Sequence, residues 1–323
     1  MRLLRRQGSW DKALALADQI IQQLESLPQI DLNVLADAYA DRAGLRWALD
    51  EYPQTVQDTT LAIELLAQGG YQFTENSIRG NLGLAYWSMG ELNLAEETLR
   101  RSILVSEHLH TYWRLAYDVG NLALVYLCRG HFREALALGE RHLVLARDSD
   151  NTVEAMRALD NCGLIKLHQE DYAFAFQSLG ETLPFYEQQN MKNALVLSWA
   201  NLSRCYLDTG QAEKALSFAE KAFDLAAQQV SPSLKIIALR CLAEQQPREQ
   251  QLILLHQALE LARGCHRQLD EAACLLSLSA VVESLDKQDD LWKQGVFLLN
   301  KIGASAWLQG CSPSCPPRIV IVA

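Results

Sequence analysis

Apolar residues recur at helical spacing through most of the chain. Between Ile78 and Met89 they stand three and four positions apart, which indicates one buried face of a helix. Gly90 interrupts this stripe, and a second stripe runs from Leu92 to Leu104. Because glycine adopts a positive φ without a Cβ clash, it is typical of a helix C-terminal cap. The pattern predicts two antiparallel helices joined by a tight turn.

This helix pair repeats at a period of 40 residues. Four asparagines stand 40 positions apart, and an alanine follows each of them by 14 positions: Asn81, Asn121, Asn161 and Asn201, with Ala95, Ala135, Ala175 and Ala215. A register kept over four copies indicates one unit stacked on itself. Such units bury their apolar faces against each other and expose a long concave surface. The predicted fold class is all-α, a right-handed α-solenoid of about seven complete antiparallel helix pairs.

The residues around each asparagine resemble the tetratricopeptide repeat. Two copies carry its pattern of a small residue after leucine, a tyrosine, a turn glycine and a later alanine: Leu82, Gly83, Tyr86, Gly90 and Ala95, and Leu122, Ala123, Tyr126, Gly130 and Ala135. The usual period of that family is about 34 residues. A period of 40 therefore implies longer helices, as in the helical arms of maltose-regulator-like signalling ATPases. The resemblance covers nearly the whole chain.

Several positions depart from the regular repeat. Trp10 to Leu27 is typical of a second helix without its first, so we expect a truncated leading unit. Glu170 stands at a turn where glycine is usual, and Pro184 is expected to kink or end its helix. The register slips by four residues near Pro247. We expect the array over residues 1–305, with irregular last units, and a Pro-rich extended tail over 306–323.

Composition narrows the choice of partner. The formal net charge is −10 with a pI near 5.2, which argues against nucleic-acid binding, since phosphate contacts need clustered Lys and Arg. No apolar run approaches the ~20 residues of a membrane span, and the first residues lack a secretory signal. Five of the eight cysteines lie in helical stripes, as reduced thiols do. We therefore expect a cytoplasmic protein.

The chain lacks the sequence motifs of common enzymes. There is no phosphate-binding glycine loop with its Lys, no His-Glu-x-x-His and no Gly-x-Ser-x-Gly. Cys311 and Cys315 have no second ligand pair nearby, and the seven histidines are scattered. The sequence predicts no catalytic residue, no metal site, no cofactor and no enzyme activity.

The resemblance implies that the first helices of successive repeats line the concave groove. Asparagine suits a peptide-binding position because its amide both donates and accepts hydrogen bonds. The predicted groove residues are Asn81, Asn121, Asn161, Asn201, Trp87, Tyr117, Arg157 and Arg204. In the alternative interpretation, the asparagines only hydrogen-bond between adjacent first helices. Because lysine is absent from these positions, we do not expect recognition of a chaperone's C-terminal tail.

Two functions remain open. The first is a protein- or peptide-binding scaffold, or the sensor arm of a larger regulatory protein, binding through the concave groove. Its partner would be a protein or peptide segment, with no nucleic acid and no membrane, and an upstream domain of the same protein is a further candidate. The alternative is a small-ligand-sensing module that gates an attached signalling ATPase. A closed, aromatic-lined pocket between the array and its end would favour the alternative.

Overall fold

In the computed structural model, which describes residues 9–229 and 231–319, the chain is an α-solenoid. The described residues form fifteen α-helices and a short 3-10 helix, Ser305–Leu308. The α-helices are α1 Trp10–Glu25, α2 Leu32–Ala48, α3 Tyr52–Gly69, α4 Gln72–Met89, α5 Leu92–His108, α6 Tyr112–Cys128, α7 Phe132–Asp148, α8 Thr152–His168, α9 Tyr172–Gln188, α10 Lys192–Asp208, α11 Ala212–Ala227, α12 Pro232–Ala243, α13 Arg248–Gly264, α14 Gln268–Val281 and α15 Leu285–Lys301.

The helices pair as the hydrophobic pattern predicts. After α1, seven successive pairs run from α2/α3 to α14/α15, so the predicted fold class is confirmed. The helix α1 covers α2 through Ala13 and Ala17, which pack with Leu45. The expected partner of α1 would fall within residues 1–8, which lie outside the described part of the chain.

Small residues let the two helices of a pair approach closely. The repeated alanines Ala95, Ala135, Ala175 and Ala215 are at most 1% exposed. A Cβ added at Gly83 would lie 2.7 Å from Leu99 Cγ, and one added at Gly163 would lie 1.9 Å from Ser178 Oγ. The close approach predicted from the sequence is therefore a property of the pairs.

The turns within the first five helix pairs share one backbone geometry. Gly90, Gly130 and Gly210 have φ of +80°, +79° and +76°, and Asp50 and Glu170 occupy the same place with φ of 60°. A non-glycine residue with positive φ is strained by its Cβ. The sequence interpretation of Glu170 as a less favourable turn is confirmed.

The structure shows the course of the helices at two positions where the sequence departs from the regular repeat, Pro184 and the region before Pro247. The helix α9 does not end at Pro184 but continues to Gln188. The helix α12 has only 12 residues and ends at Ala243, before the loop that carries Pro247. The shorter helix accounts for the change of register in the sequence.

The solenoid curls until its last part packs against its middle. We call residues 268–319 the C-terminal segment. The side chain of Gln268 donates hydrogen bonds to the Met89 carbonyl at 3.2 Å and to Glu91 Oε1 at 2.9 Å. The indole of Trp307 donates to the Cys128 carbonyl at 2.8 Å. The C-terminal segment therefore lies against the turns of the second and third pairs.

A single apolar core joins this segment to the first helices of the middle pairs. Its members come from both parts of the chain: Trp87, Leu124, Leu127, Leu164 and Leu167 from the middle, and Ala272, Leu276, Leu299, Ile302 and Ile319 from the segment. All of them are less than 9% exposed. The C-terminal segment thus buries the part of the concave face nearest the paired-helix turns.

Candidate functional site

The concave face is open at one side and covered at the other. On α6, positions about one turn apart along this face become steadily less exposed. Trp113 is 46% exposed, Tyr117 is partly buried, and Asn121 and Cys128 are 5% and 4% exposed. The covered end is where Trp307 docks on the Cys128 carbonyl. On α6 the N-terminal half of this face is therefore accessible, and its C-terminal half is covered.

A row of exposed apolar residues marks the open side. Phe73, Trp113 and Val153 stand 40 positions apart at the second position of α4, α6 and α8, and they are 53%, 46% and 42% exposed. We call these three residues the apolar row. The sequence prediction missed them, although the 40-residue period that revealed the asparagines also links these positions. Exposed large apolar side chains at equivalent places are typical of an interaction surface.

The asparagines are not equivalent in the structure. Asn81 is exposed, and its Oδ1 accepts a hydrogen bond from Arg114 Nη1 at 3.1 Å. Asn121 is buried, and its Oδ1 accepts from Arg157 Nη2 at 3.4 Å. Both bonds join adjacent first helices, as the structural interpretation of the asparagines expects.

The other two asparagines differ from these. Asn161 is 9% exposed, and its Nδ2 has no hydrogen-bond partner among the described residues. Asn201 is partly buried and lines a small cavity of about 60 Å³ with Arg204. Asn81 is therefore the most exposed of the four asparagines.

Arg157 is held in the groove by a buried acid. The carboxylate of Glu154 accepts a hydrogen bond from His142 Nε2 at 2.7 Å and lies 3.6 Å from Arg157 Nη2. Burial alone would raise the pKa of Glu154, but the His142 hydrogen bond and the Arg157 charge more than offset it and lower that pKa. The guanidinium lies over the Tyr117 ring, 5.2 Å from its centroid, and the Arg157 side chain is 36% exposed. The site thus offers a cation fixed on an aromatic face.

Trp87 and Arg204 are occupied by other contacts. Trp87 is 5% exposed and donates its indole N–H to Cys128 Sγ at 3.2 Å. Arg204 binds Asp208 at 2.7 Å and lies 3.6 Å from Glu244. Because the C-terminal segment and α12 cover this region, these two side chains do not line the open part of the groove.

Asp160 points behind the groove. Burial raises its pKa to about 7, although the nearby hydroxyl of Thr182 on α9 acts in the opposite direction. Its Oδ1 has no hydrogen-bond partner within the described ranges. One repeat earlier, the corresponding positions hold Gly120 and the buried ring of His142, so each repeat fills this space differently.

Two cavities lie next to the open side. The first, which we call the groove pocket, measures about 240 Å³ between α2, α3 and α4; it is lined by Ala40, Ala43, Gly44, Trp47, Thr55, Thr59, Ile78, Asn81 and Leu84. The second, the inter-turn cavity, measures about 310 Å³; its lining includes Trp10, Trp47, Asp50, Tyr52, Asn193, Gln229, Ser231 and Ser233. Trp47 contributes to both.

Within 9–229 and 231–319, no group of three or more His, Cys, Asp or Glu is placed to hold a metal ion. Burial raises the pKa of the thiols of Cys162, Cys205 and Cys274 to about 12.

No helix within residues 9–229 and 231–319 combines the length and the apolar character needed to cross a bilayer.

Comparison with known proteins agrees with this architecture. One tetratricopeptide-repeat model matches residues 77–108 and 196–229, and a second matches residues 119–152. A search of the curated proteins finds no significant match. The chain is a tetratricopeptide-repeat-type helical repeat protein.

Solved structures of similar fold include three regulators with bound partners. A Rap protein complexed with Competence and Sporulation Factor has a TM-score of 0.71 at 15% identity, covering 89% of this chain and 81% of that one. The Rap conjugation gene regulator of the plasmid pLS20, in complex with a Phr peptide, has a TM-score of 0.69 at 14% identity, with coverages of 87% and 78%. NprR in complex with its cognate peptide NprX has a TM-score of 0.69 at 16% identity, with coverages of 93% and 85%. At these identities the similarity concerns the fold.

Proposed function

We propose that this protein binds an extended peptide segment of a partner protein in the open half of its concave groove, as a regulatory scaffold or sensor arm without catalysis of its own. The observation that carries the proposal is the apolar row of Phe73, Trp113 and Val153, together with the exposed amide of Asn81 on the same helix as Phe73. Structures of the same fold hold peptides, which supports this use of the surface.

The open half offers each kind of contact that an extended peptide needs. The apolar row provides anchors, since large aromatic side chains dominate interface energetics. Asn81 offers an amide to the peptide backbone. Arg157, held on the Tyr117 ring, offers a fixed charge to a peptide carboxylate. First helices packed about 10 Å apart give roughly 30 Å from α2 to α8, the length of about nine extended residues.

The test is a selection of linear dodecapeptides from a randomised display library on the intact chain. Peptides that survive selection should lose at least tenfold in affinity on Trp113→Ala and on Arg157→Ala. The matched control is Leu104→Ala, because Leu104 is 66% exposed on α5, the second helix of its pair. Peptides that bind all three variants like the wild type, or a selection without enrichment, would overturn groove binding.

The small-ligand alternative also has an observation in its favour. The inter-turn cavity lies between the start of the array and the start of α12, and two tryptophans, Trp10 and Trp47, line it beside polar groups. A screen of sugars, amino acids and nucleosides by thermal shift tests this function. A hit should lose its shift on Asn193→Ala, which faces the cavity, and not on Trp113→Ala in the open groove.

A further inference from the structure

The groove pocket has the dimensions and chemistry of a receptor for one large side chain. Its volume of about 240 Å³ has room for one bulky aliphatic or aromatic side chain, since an apolar cavity of ~150 Å³ already holds benzene. Small residues of α2 leave this space open. A Cβ added at Gly44 would meet no heavy atom within 4 Å. The side wall is Trp47, which is 37% exposed.

The floor of the pocket is apolar despite its two threonines. Thr55 Oγ1 donates to the Glu51 carbonyl at 2.9 Å, and Thr59 Oγ1 donates to the Thr55 carbonyl at 2.6 Å. Both hydroxyls are therefore satisfied by their own helix. Ile78, 6% exposed, adds a further apolar surface. An apolar side chain entering here leaves no polar group of the floor without a partner.

The mouth of the pocket is polar. Asn81 is exposed there, beside Leu84. Its Oδ1 accepts from Arg114, and no described residue accepts a hydrogen bond from its amide N–H groups. A peptide backbone that crosses the mouth therefore finds a donor next to the pocket that takes its side chain.

The same face of α2 is acidic beyond the pocket. Asp37 and Asp41 are exposed one turn apart, and Asp41 lies one turn before Gly44. Neither makes an ion pair with a cation of residues 9–229 or 231–319. Burial raises the pKa of Asp37, and the carboxylates of Asp41 and Asp31 raise it further. A cation placed here would relieve that repulsion.

We propose that the groove pocket binds a large apolar side chain of the partner peptide, with a basic residue next to it facing Asp37 and Asp41. This inference rests on the proposed function and names the chemistry of the segment: a Leu, Met or Phe adjacent to Lys or Arg. The pocket fixes the register of the peptide at the α2 end of the groove, while the apolar row and Arg157 contact the remainder.

Gly44→Leu tests the pocket directly, because the new side chain starts in open space and fills the cavity. Its matched control is Gly180→Leu in α9, where an added Cβ also meets nothing within 4 Å. Peptides selected from the dodecapeptide library on the wild-type chain are then titrated on both variants. We expect the selected peptides to share the apolar–basic pair, to lose at least tenfold in affinity on Gly44→Leu and to stay within twofold on Gly180→Leu.

The charge is tested with the double variant Asp37→Asn and Asp41→Asn. It should weaken peptides that contain Lys or Arg several-fold and flatten their salt dependence, since exposed charges are screened by salt. Peptides that bind Gly44→Leu like the wild type, or that lack the apolar–basic pair, would overturn the pocket assignment. If Trp113→Ala and Arg157→Ala still weaken those peptides, the groove function stands and only the pocket fails. A selection without enrichment contradicts both.

Discussion

Asp50 caps a helix whose first turn lies 183 residues further along the chain, at Ser233. Its Oδ2 accepts a hydrogen bond from the backbone N–H of Ser233 at 2.7 Å, and another from Ser231 Oγ at 3.1 Å. Ser233 lies in the first turn of α12, whose N-cap residue Ser231 makes no side-chain cap of its own. A carboxylate from the turn between α2 and α3 thus satisfies one of the free N–H groups at the start of α12.

This contact is the start of a buried network between the two ends of the solenoid. Tyr52 donates to Asp50 Oδ1 at 2.6 Å and accepts from Arg267 Nη1 at 3.3 Å. Arg267 binds Asp270, which lies 3.5 Å from Arg240. Arg240 in turn donates to the Ile319 carbonyl at 2.8 Å. Because all these side chains are buried, loss of one partner leaves the next without compensation.

Replacing Asp50 by alanine should therefore destabilise the protein more than an ordinary turn mutation. Loss of an N-cap costs about 1 kcal/mol, and the unpaired Tyr52 hydroxyl adds about 1–2 kcal/mol. For a chain of this size we expect the melting temperature to fall by roughly 3–5 °C. Asp150→Ala is the matched control, since Asp150 is exposed and also has a positive φ, of 53°. Equal losses for the two variants in thermal unfolding would contradict the capping role.

Gly120 is required for a different reason. A Cβ added there would lie 2.4 Å from His142 Cε1, and His142 is fully buried. Gly120→Ala should cost about 1–3 kcal/mol by overpacking and displace the ring from Glu154. Gly180→Ala, where the space is open, should instead gain a few tenths to about 1 kcal/mol from helix propensity. Urea unfolding of both variants measures the difference, and equal stabilities would show that the ring moves freely.

Asp160 makes the stability depend on pH. Its folded pKa of about 7 lies above the ordinary value of 3.8, because burial disfavours the carboxylate. The folded state therefore keeps its proton to higher pH than the unfolded state, and stability is lost as the pH rises from about 4 to about 7. Because the amide of Asp160→Asn stays neutral at every pH, this variant does not lose stability between about pH 4 and pH 7.

We expect Asp160→Asn to unfold like the wild type near pH 4. At pH 8 it should be more stable than the wild type by up to about 4 kcal/mol. Denaturant unfolding of the two proteins at both pH values measures this difference. A constant difference between the two proteins across the pH range would exclude titration of Asp160 as its cause.

Periodicity predicts the pairs but not the closure of the solenoid. The apolar stripe of a helix depends on residues that are three and four positions apart. The sequence alone therefore predicts the seven helix pairs and their turns. The contact of Tyr52 with Arg267 spans 215 positions. It depends on the pitch of the solenoid, which accumulates from small rotations between repeats. No single repeat carries that information.

The turn glycines and the predicted groove residues also show that equivalent positions in the repeat have different surroundings in the folded chain. Gly90, Gly130 and Gly210 have the same turn conformation, yet a Cβ at Gly90 would meet Gln268 and one at Gly130 would meet Ala306, while at Gly210 it meets nothing. Trp87 fits the register of a groove residue as well as Tyr117 does. It is buried because the C-terminal segment lies over that end of the concave face.

Trp307 holds the C-terminal segment against the third and fourth pairs. Its ring lies edge-on to Phe132 and to His168, with centroid distances of 5.3 Å and 5.1 Å. Under this cover, burial lowers the pKa of His168 to about 3, with a smaller contribution from the Arg204 charge. A neutral buried histidine loses stability as the pH falls from about 6.5 towards 3, because the unfolded chain binds the proton first.

Trp307→Ala should remove the hydrogen bond to Cys128 and let water reach His168. We expect about 2–3 kcal/mol of destabilisation from the lost burial, somewhat less than for a fully buried tryptophan. The pKa of His168, followed by NMR of its ring, should rise towards its ordinary value of 6.5. The free energy of unfolding of this variant should then fall less at low pH than that of the wild type, because His168 binds its proton at a similar pH in the folded and unfolded states. The control is Trp113→Ala, at a tryptophan that is 46% exposed, which should change neither the stability nor the pKa of His168. If His168 has the same pKa in the wild type and in both variants, a residue other than Trp307 excludes water from it.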